Sequence, residues 1–327
     1  MIRLSVAREE WPIRGAFRIS RGTKTKAEVL VATVERGGVT GRGECVPYRR
    51  YGETFEKVGK QIEDARKAIE EGASREDLLG LMTAGAARNA VDCALWDLEA
   101  KTAGKPVHEL AGLPAPEPVT TAFTITLDDA AKMGEAARAE AHRPLLKLKL
   151  GESDGDIERA RAVREAAPEA TLIVDANEGW KPEQCDALFA AFAELDVRMI
   201  EQPLHADRDE ALAKVSRAVP ICADESCHAS DSLARLKGRY DVVNIKLDKT
   251  GGLTEALRLR EAARAAGFQV MVGCMVATSL AMAPALLVAQ GADFVDVDGP
   301  LMLKQDREPG LVFDGSRVAP AGPALWG

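Results

Sequence analysis

Nowhere do the 327 residues contain a run of eighteen apolar side chains, so no helix of bilayer length is expected. An excess of positive charge is also missing. Against 51 Asp+Glu stand 43 Lys+Arg, for a formal charge of −8 without a strongly basic block, which removes the attraction to phosphate backbones and excludes a nucleic-acid partner. The opening MIRLSVAREEWPIRG lacks the apolar core and small-residue cleavage site of a secretory signal, so a cytoplasmic location is expected. The six cysteines, Cys45, Cys93, Cys185, Cys222, Cys227 and Cys274, show no C-x-x-C spacing, which favours reduced structural thiols over disulfides or a zinc centre. No G-x-G-x-x-G opens a helix, so Gly151, Gly251 and Gly252 read as turn residues and no nucleotide site is expected. What is present is ordinary globular composition, 46% hydrophobic and 29% charged, in a chain long enough for one large domain or two.

From Val119 onward, short β-branched or apolar runs alternate with Ala-rich segments of helical period. Strands are predicted at Val119–Ile125, Leu145–Leu150, Thr171–Asp175, Val197–Glu201, Val219–Ala223, Tyr240–Lys246, Phe268–Val272 and Ala292–Val297. Helices are predicted between them near 128–142, 154–167, 182–194, 207–217, 229–236, 253–266 and 277–290. Eight strands joined by right-handed crossovers close naturally into a barrel. The fold class is therefore α/β, a (β/α)7β modified TIM barrel over residues 119–299. Residues 1–118 read as an α+β capping domain, with strands near Ile2–Ala7 and Val29–Glu35 and helices near 54–71 and 84–102. Pro114, Pro116 and Pro118 form a stiff linker at the boundary. Residues 300–327 carry no further barrel unit and are expected to return to the cap.

A strand inside a barrel should be apolar, so charges at strand C-termini are informative. Lys147 and Lys149 lie in LLKLKLG, Asp175 in LIVDAN, Glu201 in MIEQP, Asp224 in ICADES, Lys246 in VNIKLDKTGG, and Asp296 and Asp298 in FVDVDGP. Any one of them could be a solvated strand end. As a set they are harder to dismiss. Asp175, Glu201 and Asp224 end three consecutive strands, and carboxylates meeting at one barrel mouth repel unless a cation neutralises them. An all-carboxylate set without Cys or His suits Mg²⁺, or Mn²⁺, better than zinc.

Lys147 and Lys149 are two apart on one strand and so share a face, about 7 Å apart. Each raises the cost of protonating the other, and a metal nearby adds to it, so a neutral amine near pH 7 is expected. Lys246, on the strand opposite, shares its inward parity with Asn244 and Asp248, and is preferred over the nearby Lys249 on that ground. Amines on both faces of a metal-held carboxylate suit one reaction: removal of the neighbouring α-proton and its return from the other side, with inversion. Asp296 and Asp298, on a strand opposite Glu201 and too far from it to share its ion, read as uncompensated charges awaiting a substrate ammonium. His205 and His228 read as solvated loop residues.

Together KLK, DAN, EQP, ADES, NIKLDKTGG, GCMVATS and DVDGP resemble the enolase superfamily, muconate-lactonising-enzyme subgroup, and its dipeptide epimerases; WPIRGAFRISRG and GRGECVPYRRYGET look like the matching cap. The resemblance implies that Lys149 and Lys246 are the acid/base pair, that Lys147 tunes Lys149, that Asp175, Glu201 and Asp224 bind Mg²⁺, and that Asp296 and Asp298 hold a dipeptide ammonium. It implies an isomerase acting on L-Ala-D/L-Glu in murein peptide metabolism, working as a homo-oligomer, with Lys24 or Arg21 meeting the acidic side chain. Lys24 stands near where murein-type members carry Arg, and Ala277 where many members carry Glu. The alternatives are o-succinylbenzoate synthase, N-acylamino-acid racemase or cycloisomerase chemistry, a Schiff-base aldolase, or a metal-stabilised binding protein.

Overall fold

In a computed structural model that describes residues 2–152 and 154–327, the chain begins with three antiparallel strands, β1 (Ile2–Ile19), β2 (Gly22–Arg36) and β3 (Val39–Cys45). The first two are far longer than the sequence predicts. They meet in a hairpin turn at Ser20 and Arg21, with Ile19 paired to Gly22. The third was not expected, because its glycines hide its period. They have a packing reason: a Cβ on Gly41 would lie 2.2 Å from Ala94 O and one on Gly43 2.1 Å from Ala90 O, so only glycine lets the strand lie against α3 (Ala86–Ala103).

Helix α1 (Phe55–Glu70) buries Val58, Ile62, Ala65 and Ile69, one helical face, and starts where Thr54 accepts from Lys57 N. A capping box of Ser74 and Asp77 opens α2 (Arg75–Leu81), which lies outside the predicted helices. α3 is buried nearly all round, and the short α4 (Val107–Leu110) leads to the prolines.

The predicted first barrel strand divides. β4 (Val119–Thr120) pairs with β14 (Arg317–Val318), itself paired with β13 (Phe313–Asp314), and only β5 (Phe123–Ile125) enters the barrel. There follow α5 (Ala130–Ala139), β6 (Leu145–Lys149), α6 (Asp156–Ala166), β7 (Thr171–Asp175), α7 (Pro182–Glu194), β8 (Val197–Glu201) and β9 (Ile221–Ala223). The chain continues through α8 (Leu233–Leu236), β10 (Val242–Ile245), α9 (Leu247–Thr250), α10 (Leu253–Ala265), β11 (Gln269–Val272), α11 (Ser279–Val288) and β12 (Phe294–Val295). The eight strands β5 to β12 pair in parallel in chain order, and Ala122 N donates to Val295 O across the two ends.

Two predicted helices are corrected. Residues 206–214 form 3₁₀ turns, Ala206–Arg208 and Glu210–Lys214, because the Asp209 carboxylate is pinned by Ser226, Tyr240 and Arg239. Residues 230–236 make a 3₁₀ turn, Ser230–Ser232, followed by the single turn α8, where Glu255 captures Ser230. In the tail, Trp326 Nε1 donates to Cys93 O and Gly327 N to Asp97, while Arg307 pairs with Glu44 and Glu9. Among the described residues no helix is long and apolar enough to cross a membrane.

Candidate active site

Strand parity builds the site. Inside the barrel, Ala122, Ile173, Met199, Cys222, Val242 and Met271 form an apolar plug, while the alternate residues pack outward against the helices. Two residues above Ile173, Met199 and Cys222, on the same inward face, come Asp175, Glu201 and Asp224; above Val242 come Asn244 and Lys246. All are buried although charged or polar. Groups of this kind stay buried only with partners, and here the partners are one another.

Lys149 Nζ lies 2.7 Å from Asp175 Oδ2, and Lys246 Nζ lies 2.6 Å from Asp224 Oδ2. These two amines thus stand at the two ends of the arc of carboxylates, with Glu201 between. Lys147 Nζ reaches inward to Glu201 Oε2 at 2.6 Å, Asp296 Oδ2 at 2.8 Å and Asp175 Oδ2 at 3.4 Å. Asn244 Nδ2 donates to Glu201 Oε1 at 2.6 Å. As they stand the acids face amines, and among the described residues no group of three or more Asp, Glu, His or Cys is arranged to hold one ion.

The charges of the neighbours decide protonation. Burial pulls the Lys147 amine down, but Asp296, Glu201 and Asp175 together outweigh it and hold it well above the lysine range. Burial likewise disfavours protonated Lys246, but Asp224 and Glu201 outweigh it and hold this amine above the lysine range too. Carboxylates, which the sequence reading set against a metal, here face Lys147 and Lys246 directly and favour their charged forms. Asp224 is lowered well below the ordinary carboxylate range, its burial overcome by Lys246 and Lys249. Glu201 is raised by burial and by Asp175.

Asp296 and Asp298 are not uncompensated. Although β12 lies across the barrel from β8, Lys147 bridges Asp296 to Glu201, so the two acids are less remote than strand numbering suggests. Asp298 accepts from Thr124 N at 2.7 Å, and burial and Asp296 push its carboxyl up to about 7. Asp296 Oδ1 is buried without a hydrogen-bond partner.

Above the carboxylates, between barrel and cap, lies a cavity open to solvent, with about 80 Å³ of room for water-sized groups. Lys149, Lys246, Asp296, Asp298 and Thr124 line it from below, and Phe17, Ile19, Lys24 and Tyr48 from the cap. Arg21, at the hairpin tip, is already engaged: it binds Glu225 at 2.6 Å, Glu178 at 3.2 Å, Asn177 O at 2.8 Å and Tyr48 Oη at 2.9 Å. Burial and Asp224 push the Glu225 carboxyl up to about 8 against the pull of Arg21. Lys24 has no hydrogen-bond or ion-pair partner among the described residues; its ammonium sits 5.5 Å from the Tyr48 ring, and desolvation lowers its pKa.

Several site residues escaped the sequence. Lys249 was passed over for Lys246, yet both are present: Lys249 Nζ donates to Asp224 Oδ1 at 2.7 Å and to Asn244 O at 2.9 Å. The strand ends at Ile245, so parity stops applying and the turn of α9 swings Lys249 back under Asp224. The same turn sends Asp248 toward the cap, not into the barrel. Cys274 also borders the cavity, and all six cysteines are free thiols. His228 packs edge-on to Tyr51 at 4.6 Å, and burial lowers it to about 4, so it is neutral near pH 7; His205 Nε2 lies 3.4 Å from the Arg50 guanidinium.

Residues 1–112 match the mandelate racemase / muconate lactonizing enzyme N-terminal domain, and residues 129–323 match the enolase C-terminal domain-like family. L-Ala-D/L-Glu epimerase of Escherichia coli (strain K12) is 48% identical over 314 residues, 95% of this chain and 97% of that protein. N-acetyl-D-glutamate racemase of a Pseudoalteromonas species is 44% identical over 301 residues, 91% of this chain and 95% of that one. The crystal structure of an enolase family member from Agrobacterium tumefaciens with homology to dipeptide epimerases, with bound sodium and L-Ala-L-Glu, matches at 52% identity and a TM-score of 0.98, covering 100% of both chains. With both halves matched and the site built on the strand ends, the chain belongs to the mandelate racemase / muconate lactonizing enzyme family of the enolase superfamily.

Proposed function

We propose that this protein is an isomerase that epimerises a dipeptide, L-Ala-D/L-Glu first of all, by 1,1-proton transfer at the α-carbon of the C-terminal residue. The observation that carries the reading is the pair of amines, Lys149 and Lys246, at opposite ends of one arc of carboxylates and lining one cavity. In one direction Lys149, as neutral amine, takes the α-proton and Lys246, as ammonium, gives one to the other face; in reverse the roles exchange. Lys147, two residues before Lys149 on β6, supplies a further positive charge beneath the arc, against Glu201 and Asp296.

Asp175, Glu201 and Asp224 fit a hard divalent cation: three buried carboxylates, oxygen donors only, held on consecutive strands. Mg²⁺ bound by them, or Mn²⁺, would supply the positive charge that a carboxylate needs before its neighbouring C–H can lose a proton. Asp296 and Asp298 face the cavity as partners for the dipeptide ammonium, Asp296 through its unpaired Oδ1. Lys24 would meet the acidic side chain, with Arg21 holding the rim in shape. Residues 1–118 and 300–327 would form the cap and 119–299 the catalytic barrel. Free thiols throughout fit a cytoplasmic enzyme of murein peptide metabolism.

A second reading has specific support. With Asp296 paired to Lys147 and the Asp298 carboxyl pushed up to about 7, the pair is less negative than two free acids, so an N-acyl substrate such as N-acetylglutamate is less strongly rejected. One experiment separates the two. The enzyme with Mg²⁺ in D₂O is given L-Ala-L-Glu or N-acetyl-D-glutamate and followed by proton NMR. The dipeptide reading requires loss of the Glu α-proton signal with appearance of L-Ala-D-Glu, abolished by EDTA; faster racemisation of N-acetylglutamate would install the second reading instead.

A further inference from the structure

Helix α3 of the cap carries three buried polar side chains for which the proton transfer has no use, Arg88, Asn89 and Asp92, at 6%, 2% and 1% exposure. All three grip the segment that follows Lys246. Asn89 Nδ2 donates to Asp248 Oδ1 at 2.8 Å, and the same oxygen accepts from Val46 N of the cap at 3.1 Å. Arg88 donates to Thr250 O at 2.6 Å and Gly251 O at 3.0 Å. Asp92 accepts from Thr254 N at 3.0 Å and Thr254 Oγ1 at 2.6 Å. The fit is close: a Cβ on Gly252, whose φ is +109°, would lie 2.4 Å from Asp92 Oδ2. Inside the segment, Thr250 N and Lys249 N donate to Lys246 O, so the turn of α9 moves with the residue that starts it.

Lys149 is held differently. Its strand is fixed within the barrel, by Leu150 N to Asp175 O and Gly151 N to Asp156 Oδ2, and the cap reaches this side with the Phe17 ring 5.9 Å from the amine and the exposed Arg18–Glu152 pair at 4.0 Å. The cap thus holds the segment after Lys246 by buried hydrogen bonds and meets the segment after Lys149 through an exposed ion pair.

We infer that Asp248, anchored by Asn89 and the Val46 amide, is a positioning residue for Lys246, so that the cap sets the reach of one of the two proton carriers and thereby the balance between the two faces of the α-carbon. The inference rests on the reading that Lys149 and Lys246 serve opposite faces. Displacing an acid/base group by an ångström costs on the order of a hundredfold in rate, whereas a general loosening of the fold would slow both faces together.

The test follows α-proton exchange in D₂O from each epimer of Ala-Glu separately, with Mg²⁺ present. Lys246→Ala first identifies the epimer whose proton Lys246 removes. Asp248→Ala is then expected to slow exchange from that epimer roughly 10- to 100-fold while leaving exchange without inversion from the other within about threefold. The second epimer serves as the control for folding. Asp248→Asn keeps an oxygen that accepts from both amides, and is expected to restore the ratio of the two rates. Should Asp248→Ala fail to accumulate as folded protein, Asn89→Ala, which removes one donor and keeps Asp248, is read in the same way. Equal slowing of both epimers, or slowing of neither, would overturn the inference. Loss of facial bias in Lys246→Ala itself would overturn the two-amine reading instead.

Discussion

Lys24 and Arg21 leave the same hairpin tip, and their partners divide their roles. Arg21 is spent on Glu225, Glu178 and Tyr48, whereas the Lys24 ammonium faces the cavity without an anion of its own. Pairing it with a substrate carboxylate would restore what desolvation removes. Lys24→Ala is thus expected to raise KM for L-Ala-L-Glu on the order of tenfold or more, with little change for L-Ala-L-Leu, and Lys24→Arg to preserve the preference. Equal loss on both dipeptides would deny Lys24 the specificity role. The buried charges at the strand ends were legible because a strand interior tolerates a charge only with a partner, and eight such residues in barrel register are hard to account for otherwise. Lys249 was not legible, since its position depends on where β10 stops. Nor was the compensation of Asp296, which needs the length of the Lys147 side chain to be traced across the barrel.

At the scale of elements, two cap loops are fastened to the barrel by one acid. Glu178, its φ at +66°, receives Arg50 through both oxygens at 2.7 Å, Arg21 at 3.2 Å and Ala206 N at 2.8 Å. Arg21 adds the bond to Asn177 O and Ser20 Oγ a longer one at 3.3 Å, so the hairpin tip and the loop around Arg50 meet over the same rim. Arg50→Ala is expected to leave the fold intact, raise KM several-fold and speed cleavage of the tip by a protease, because a bidentate charged contact at a partly buried site is lost while Arg21 remains. Unchanged KM and cleavage would show the latch to be without effect. The period-2 and period-3.6 patterns revealed the barrel strands and the helices that pack on them, since both faces of those elements are decided by burial. They failed at β3, where glycines demanded by α3 erase the alternation, and at residues 206–214, where the captured Asp209 overrides helical propensity.

For the whole molecule, cap and barrel are joined by buried polar contacts, and this makes stability depend on pH. Burial pushes the Asp92 carboxyl from its ordinary 3.8 up to about 6, against the pull of its Thr254 hydrogen bonds. The stability from protonated Asp92 is fully present below about 3.8 and lost as pH rises through about 6. Asp92→Asn, neutral throughout, should therefore gain on the wild type as pH rises across that window, by up to about 3 kcal/mol, and run parallel to it above. A difference in melting temperature that stays flat, or falls with pH, would contradict this. The change of pattern along the sequence set an antiparallel cap apart from a parallel barrel; that the two share polar side chains across α3 was not legible, because Arg88, Asn89 and Asp92 look like an ordinary polar stripe until the helix is seen buried nearly all round.

In the proposed reaction two amines, Lys149 and Lys246, serve opposite faces of one α-carbon. Its most direct test is α-proton exchange by Lys149→Ala and Lys246→Ala, each given L-Ala-L-Glu and L-Ala-D-Glu separately in D₂O with Mg²⁺. Neither variant should interconvert the epimers, and each should still exchange one epimer, a different one for the two variants. If both variants exchange both epimers at the wild-type rate, or both exchange the same one, the two-amine account is wrong.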